Sequence, residues 1–316
     1  MFVPVAAREA DLNTTPAPPT VSPTPTNTGD TWSSAAPMAE RRYAFGLAAA
    51  TNGRIYAAGG AQGMASLRSV EEYDPSTDRW RSVADMRDAR HKFGLVGALN
   101  GKLYAVGGVQ GLPTGDTEEY DPDANTWTTR APMPTGRWSH GLAAATNGKI
   151  YAVGGYTSSG PTAAVEEYDP AADVWTSKAP LPAARFGLAA VGAPNGRVYA
   201  LGGHTGSLVT DALDEYDPST DTWRSRRALP QPRYRLGLAV ANGRLYAIGG
   251  DDDSARYGTV FEYDPTADGW HERTAMPTPR NLLGLASGSD GRLYAAGGSD
   301  NAYVPLRTVE AYRPPN

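Results

Sequence analysis

The sequence predicts an all-β fold in which six units of four short antiparallel strands form a closed ring. Three observations predict it. Glycine pairs fall at 59/60, 107/108, 154/155, 202/203, 249/250 and 297/298, with spacings of 47 or 48 residues throughout. Each pair follows a two-residue turn: Asn52-Gly53, Asn100-Gly101, Asn147-Gly148, Asn195-Gly196, Asn242-Gly243 and Asp290-Gly291. Tyr73, Tyr120, Tyr168, Tyr216 and Tyr263 each precede Asp-Pro, and a tryptophan stands seven residues after each tyrosine, at 80, 127, 175, 223 and 270. A repeat of this period must be read before 316 residues are converted into a domain count, and it argues for one array.

In chain order, residues 1–29 come first, rich in proline and threonine with few large apolar side chains. Such a segment cannot repay its ordering entropy, so an extended, disordered tail is expected there. The apolar stretch Phe2 to Ala7 is too short for a secretory core. A Thr/Pro tether suits a secreted or surface-displayed protein, so an extracellular or cell-surface location is the expectation, with a leader of a cytoplasmic protein as the alternative. From Asp30 onward each unit reads alike. An arginine and an apolar run (Arg42, Phe45, Leu47) open the first strand. Asn-Gly, which adopts positive φ at low cost, joins it tightly to the second strand, Ile55-Tyr56, which ends in the glycine pair. The third strand ends in Tyr-Asp-Pro, with proline at the second position of the turn, and the fourth carries the tryptophan. The sixth unit stops at Val309 to Pro314 with no tryptophan after it, whereas Thr31-Trp32 stands before the first unit. The segment around Trp32 is therefore predicted to pair with Val309 to Tyr312 and remove the open edge.

The units resemble kelch repeats, through the glycine pair, the tyrosine and the tryptophan in register. The resemblance covers Asp30 to Arg313 and implies a six-bladed kelch-type β-propeller over residues 30–316, with four antiparallel strands per blade. It is specific for fold and says little about function.

A net charge of −5, from 29 basic and 34 acidic residues, argues against a general nucleic-acid binder. No run of 18 apolar residues exists, so no membrane-spanning helix is expected. With no cysteine there is neither a disulfide nor a thiolate metal site. The copper chemistry of the oxidase branch of kelch enzymes, which needs a modified cysteine, is excluded with it. No cofactor or metal is expected, and a monomer is.

Symmetry points to one face for function. Arg42, Arg90, Arg137, Arg185, Arg233 and Arg280 stand 16 or 17 residues before the first glycine of each pair, and equivalent positions would ring the channel mouth. At about 10 Å spacing, neighbours would repel by roughly 1.7 kcal/mol at an effective dielectric near 20, so such a ring needs anions. Either a ligand supplies them or the row Glu71, Glu118, Glu166, Asp214 and Glu310 does. Phe261 breaks that row in the fifth unit, which makes Arg233 the arginine expected to be free. In kelch-domain substrate adaptors that this chain resembles, matching arginines bind acidic peptide motifs, which implies an anionic partner. The next residues are Tyr43, His91, Trp138, Phe186, Tyr234 and Asn281, where the adaptors usually carry small residues. Aromatic faces beside guanidinium groups suit a sugar acid or a peptide carboxylate, although some of these rings could serve packing between blades.

Other candidates are weaker. Asp251-Asp252-Asp253 lacks the spaced ligands of a calcium loop and reads as a solvated loop. His91, His140 and His204 lie in separate units with no ligand spacing. The cations after each turn, Arg54, Lys102, Lys149, Arg197, Arg244 and Arg292, are expected to pair with Asp74, Asp121, Asp169, Asp217 and Asp264. Three functions compete. The leading one is a non-catalytic module binding an anionic small molecule, a carbohydrate or an acidic protein segment through the arginine–aromatic face. The second is an enzyme, because some six-bladed kelch proteins that the chain resembles isomerise acidic sugars. The third is a scaffold that uses blade rims. A buried carboxylate at the mouth would favour the enzyme, and a filled mouth the scaffold.

Overall fold

A computed structural model of the chain describes residues 29–315, apart from the Gln110 side chain. The expected tail at 1–29 lies, except for Gly29, outside the described residues. Six four-stranded antiparallel sheets surround an axis. The first blade is Gly46–Ala49, Ile55–Ala58, Val70–Asp74 and Arg79–Val83, from the axis outward. The next four blades repeat this plan, and their innermost strands are Gly94–Gly97, Gly141–Ala144, Ala189–Gly192 and Gly237–Ala241. The sixth combines Gly284–Ser287, Leu293–Ala296 and Val309–Arg313 with Thr31–Ala35 from the beginning of the chain.

Closure joins the segments expected from the sequence, in a register that sets Trp32 opposite Tyr312 and Ala35 opposite Val309. It reproduces a latch found between the other blades. Tyr73 donates to Asp78 Oδ1 at 2.7 Å, that oxygen also accepts from Ala36 N at 2.7 Å, and Trp80 Nε1 donates to Ala36 O at 2.8 Å. At the closure Tyr312 donates to Asp30 Oδ1, which accepts from Thr274 N, and Trp32 Nε1 donates to Thr274 O at 2.8 Å. The chain's start thus supplies the aspartate and tryptophan that the sixth unit lacks.

Burial is graded outward. The second strands are sandwiched between neighbouring blades and are buried at every residue apart from Arg244 at the start of the fifth, which is why Ile-Tyr-Ala-Ala and its equivalents are apolar or aromatic. The fourth strands are mostly exposed, and only their second residues, the tryptophans, and their last residues are half-buried. The glycine pairs have a steric cause. A Cβ on Gly59 (φ 57°) would lie 2.8 Å from Arg90 O, and one on Gly60 (φ 96°) would lie 2.9 Å from Tyr43 O. The chain entering the following blade passes the first glycine at contact distance and the chain entering the same blade passes the second, so only glycine fits.

Candidate functional site

The loops before the first strand and after the second open on one face. There the residue after each repeated arginine forms an antiparallel bridge with the residue after each glycine pair: Tyr43 with Ala61, His91 with Val109, Trp138 with Tyr156, Phe186 with His204, Tyr234 with Asp251, Asn281 with Ser299. Inside this double ring lies a third, made by Ala44, Lys92, Ser139, Gly187, Arg235 and Leu282, all with φ between 49° and 65°. Each donates its N–H to the carbonyl of its equivalent in the preceding blade at 2.7 to 2.9 Å, and Ala44 N reaches Leu282 O. Six backbone bonds thereby close a hoop about the axis. The hoop residues and those that follow them line an opening of about 130 Å³, below which the innermost strands enclose about 340 Å³.

The six arginines are not on this surface. Their exposures are 0 to 1%, and the expectation of a solvent-facing arginine ring is corrected. Five pair with the acidic row inside their own blades: Arg42 with Glu71 at 2.8 Å, Arg90 with Glu118, Arg137 with Glu166 at 3.0 Å, Arg185 with Asp214 at 2.8 Å and Arg280 with Glu310 at 2.9 Å. The same guanidiniums donate to carbonyls at the ends of the second strands, as Arg42 Nη1 does to Gly59 O and Ser69 O. Each arginine therefore ties the end of the second strand to the third, through a glycine carbonyl for Arg42 and Arg90 and through an alanine carbonyl for Arg137, Arg185 and Arg280.

Arg233, the arginine expected to be free, is buried too. Its guanidinium lies between the rings of Tyr257 (4.8 Å) and Phe261 (5.1 Å) and donates to Gln231 Oε1 and Gly249 O. Phe261 has replaced a carboxylate by a π face, which holds a cation without a counter-charge. Burial pushes the Arg233 guanidinium down to about 10, still cationic at neutral pH.

The residues after the arginines do reach the mouth in part. Tyr43, His91, Trp138 and Phe186 are partly exposed, whereas Tyr234 is buried. His91 Nδ1 lies 3.0 Å from Ser66 Oγ, and burial together with Lys92 lowers its pKa. Around the third to fifth blades the rings form a continuous arc. Trp138 stacks on Tyr156 at 4.8 Å, Phe186 lies 5.0 Å from Tyr156 and 5.3 Å from His204, and His204 is 5.5 Å from Tyr234.

A cation stands at each end of the arc. Lys92 Nζ is 4.3 Å from the Trp138 ring and the Arg235 guanidinium 4.0 Å from that of Tyr234. They belong to the second and fifth blades, opposite one another in a ring of six. Burial, and then the charge of Arg235, lowers the Lys92 pKa, so the two share one field.

Sequence reasoning passed over Lys92, Arg235 and Tyr156, and weighed His204 only as a metal ligand. The available signal was variability, because the second residue after each arginine runs Ala, Lys, Ser, Gly, Arg, Leu while the arginine never changes.

The acidic cluster is divided among three tasks. Asp251 is 4% exposed and lies 3.7 Å from Arg235 Nη1. Asp252 accepts from Ser254 and Tyr257 within its loop, and these bonds hold its carboxyl well below the usual range against the opposing effect of burial. Asp253 accepts from Tyr234 and lies 3.5 Å from His204 Nε2. Among the described residues no cluster of three or more His, Cys, Asp or Glu could hold a metal ion. Around the mouth the tips of the raised loops carry exposed apolar side chains, namely Met64, Leu112, Leu208, Tyr303 and Val304. On the opposite face Lys102 pairs with Asp121 at 2.6 Å, and Arg54, Lys149, Arg197 and Arg244 pair likewise with Asp74, Asp169, Asp217 and Asp264.

The comparisons with known proteins agree with this architecture. The pattern described as the KLHDC2/KLHL20/DRC7 Kelch-repeats domain matches residues 142–314, and the Kelch motif matches 42–87 and 92–134. The chain belongs to the kelch-repeat β-propeller family. A solved structure titled "Structure of YjhT" is similar in fold, with a TM-score of 0.73 and 16% identity over 86% of this chain and 95% of that one. No curated protein matches the sequence. Membership supports, in general terms, a binding or interaction module. No helix among the described residues is long and apolar enough to cross a membrane.

Proposed function

We propose that the protein is a binding module that holds an anionic ligand across the mouth of the propeller. The carrying observation is the pair of opposed cations, Lys92 and Arg235, at the two ends of the aromatic arc Trp138–Tyr156–Phe186–His204–Tyr234. A carboxylate between them gains charge-assisted hydrogen bonds, and the flat or apolar body attached to it stacks on the rings. Sugar acids and acidic peptides share this chemistry. The face is otherwise mixed in charge, so selectivity would rest on the axial cations rather than on net charge.

The test is calorimetric titration with glucuronate, with acidic peptides and with their neutral amides. Binding of the acids should fall about tenfold or more in Lys92→Ala and in Arg235→Ala, since a hydrogen bond to a charged group contributes about 1.5–3 kcal/mol. Equal affinity for acids and amides, or affinities unchanged in both variants, would refute the proposal. Glucuronate binding without peptide binding would select the small-molecule ligand.

One observation favours a second, catalytic reading. Asp251 is a buried carboxylate beside Arg235 at the mouth, the arrangement needed to position an acidic sugar and move a proton. The reading stands if a bound sugar acid exchanges anomers faster with wild-type protein than with Asp251→Asn. The rim-scaffold alternative is less well supported, because the mouth is open.

A further inference from the structure

Off the axis, between the raised loops of the fifth and sixth blades, lies a hollow of about 440 Å³, a size usual for small-molecule sites. Asp251, Asp253, Asn281, Arg235, Arg256 and Tyr303 line it. Asn281 is the exception in the ring of residues that follow the arginines. It is 2% exposed, and its Nδ2 donates to Asp251 Oδ2. That bond fixes the amide, because the flipped form would set its oxygen against a carboxylate. Asn281 Oδ1 is left without a donor among the described residues. Asp251 Oδ1 is little better served, by Asp253 N at 3.4 Å and Arg235 Nη1 at 3.7 Å.

Beside them, Arg256, whose backbone bridges that of Asp251, has the opposite need. Arg256 stacks on the Tyr303 ring at 4.0 Å, and its Nε lacks an acceptor among the described residues. Tyr303 is 79% exposed, so much of its surface is open to a ligand. Two carboxylates and two guanidiniums balance, so the hollow has no net charge with which to gather an ion. Unsatisfied acceptors and an unsatisfied donor together in one hollow require groups that both give and take hydrogen bonds, arranged around one small body.

We infer that this hollow binds a neutral, hydroxyl-rich ring of the pyranose class. Neighbouring hydroxyls donate to Asp251 and to Asn281 Oδ1, another accepts from Arg256, and an apolar C–H face packs on Tyr303. The inference does not rest on the axial reading: the two share Arg235, but Lys92, Trp138, Tyr156 and Phe186 do not line the hollow.

Saturation-transfer NMR on the full chain tests it, with glucose, galactose, mannose and N-acetylglucosamine as probes and glycine and free lysine as zwitterionic controls. At least one sugar should show transfer at millimolar concentration. Its affinity should fall about tenfold in Tyr303→Ala, whose exposed side chain is not needed for folding, and be lost in Asp251→Asn. Lys92→Ala should leave it unchanged, while that variant alone reports on the axial anion. The inference is overturned if no sugar gives transfer, if only the amino acids do, if Tyr303→Ala binds as wild type does, or if Lys92→Ala removes the sugar.

Discussion

His140 makes the stability of this propeller depend on mildly acidic pH. It occupies the position filled by Phe45, Phe93, Leu188, Leu236 and Leu283 in the other blades, where the side chain packs under the glycine pair of the preceding blade. There its Cε1 would lie 2.8 Å from a Cβ on Gly107. Neither ring nitrogen has a partner among the described residues, and burial, reinforced by Arg137, pushes the imidazole down from 6.5 to about 3. The sign follows from linkage. Below pH 6.5 the unfolded chain takes up a proton that the native protein refuses, so stability falls as pH falls through this range and goes on falling until the native group titrates near 3. Between pH 7 and pH 5 the loss integrates to about 1.9 kcal/mol, or about 4–8 °C in Tm at about 2–4 °C per kcal/mol. His140→Leu, which copies three other blades, abolishes this component while carboxylates elsewhere titrate alike in both proteins. Urea unfolding of wild type and variant at pH 7, 6 and 5 measures the difference. Parallel pH dependence in the two would refute a buried, neutral His140.

The remaining predictions concern the ring and its buried charges. Trp32→Ala removes the 5.0 Å ring contact with Tyr312 and the hydrogen bond to Thr274 O, and should cost about 2–4 kcal/mol in chemical unfolding. Deleting residues 30–36 should lower the melting temperature far more, because it reopens the sixth blade. Arg137→Met strands Glu166 without its cation and should cost about 3–5 kcal/mol. Arg233→Met leaves no carboxylate behind and should cost clearly less, as paired denaturation curves would show. Asp78→Ala should cost about 2 kcal/mol, since it frees both the Tyr73 hydroxyl and the Ala36 N–H.

The sequence disclosed whatever is enforced by backbone geometry. Asn-Gly turns, glycine pairs and Tyr–Trp strands answer to constraints that act within a few residues, so six copies could be aligned by eye. Even the closure by Trp32 was legible, because a missing tryptophan at one end matched a surplus one at the other. The arginines misled because repetition fixes a position in the blade and not the direction in which a long side chain turns. Their constancy reflects a task common to all blades, tying the end of the second strand to the third, in five of them through a buried acid. Lys92 and Arg235 escaped notice because each is a single departure in a variable column, and which columns meet at the axis is decided by the closing of the ring.

The hoop of six amide bonds carries a further consequence. Main chain alone makes it, so Ala44, Lys92, Ser139, Gly187, Arg235 and Leu282 join the blades without asking anything of their side chains beyond tolerance of positive φ. The innermost circle of the molecule is therefore a set of six blank sites held in register by a frame that does not read them. Gly187 is the exception, since a Cβ there would lie 3.0 Å from the Tyr234 ring; a library confined to the other five positions would vary the chemistry of the mouth while the hoop of backbone bonds stays in place.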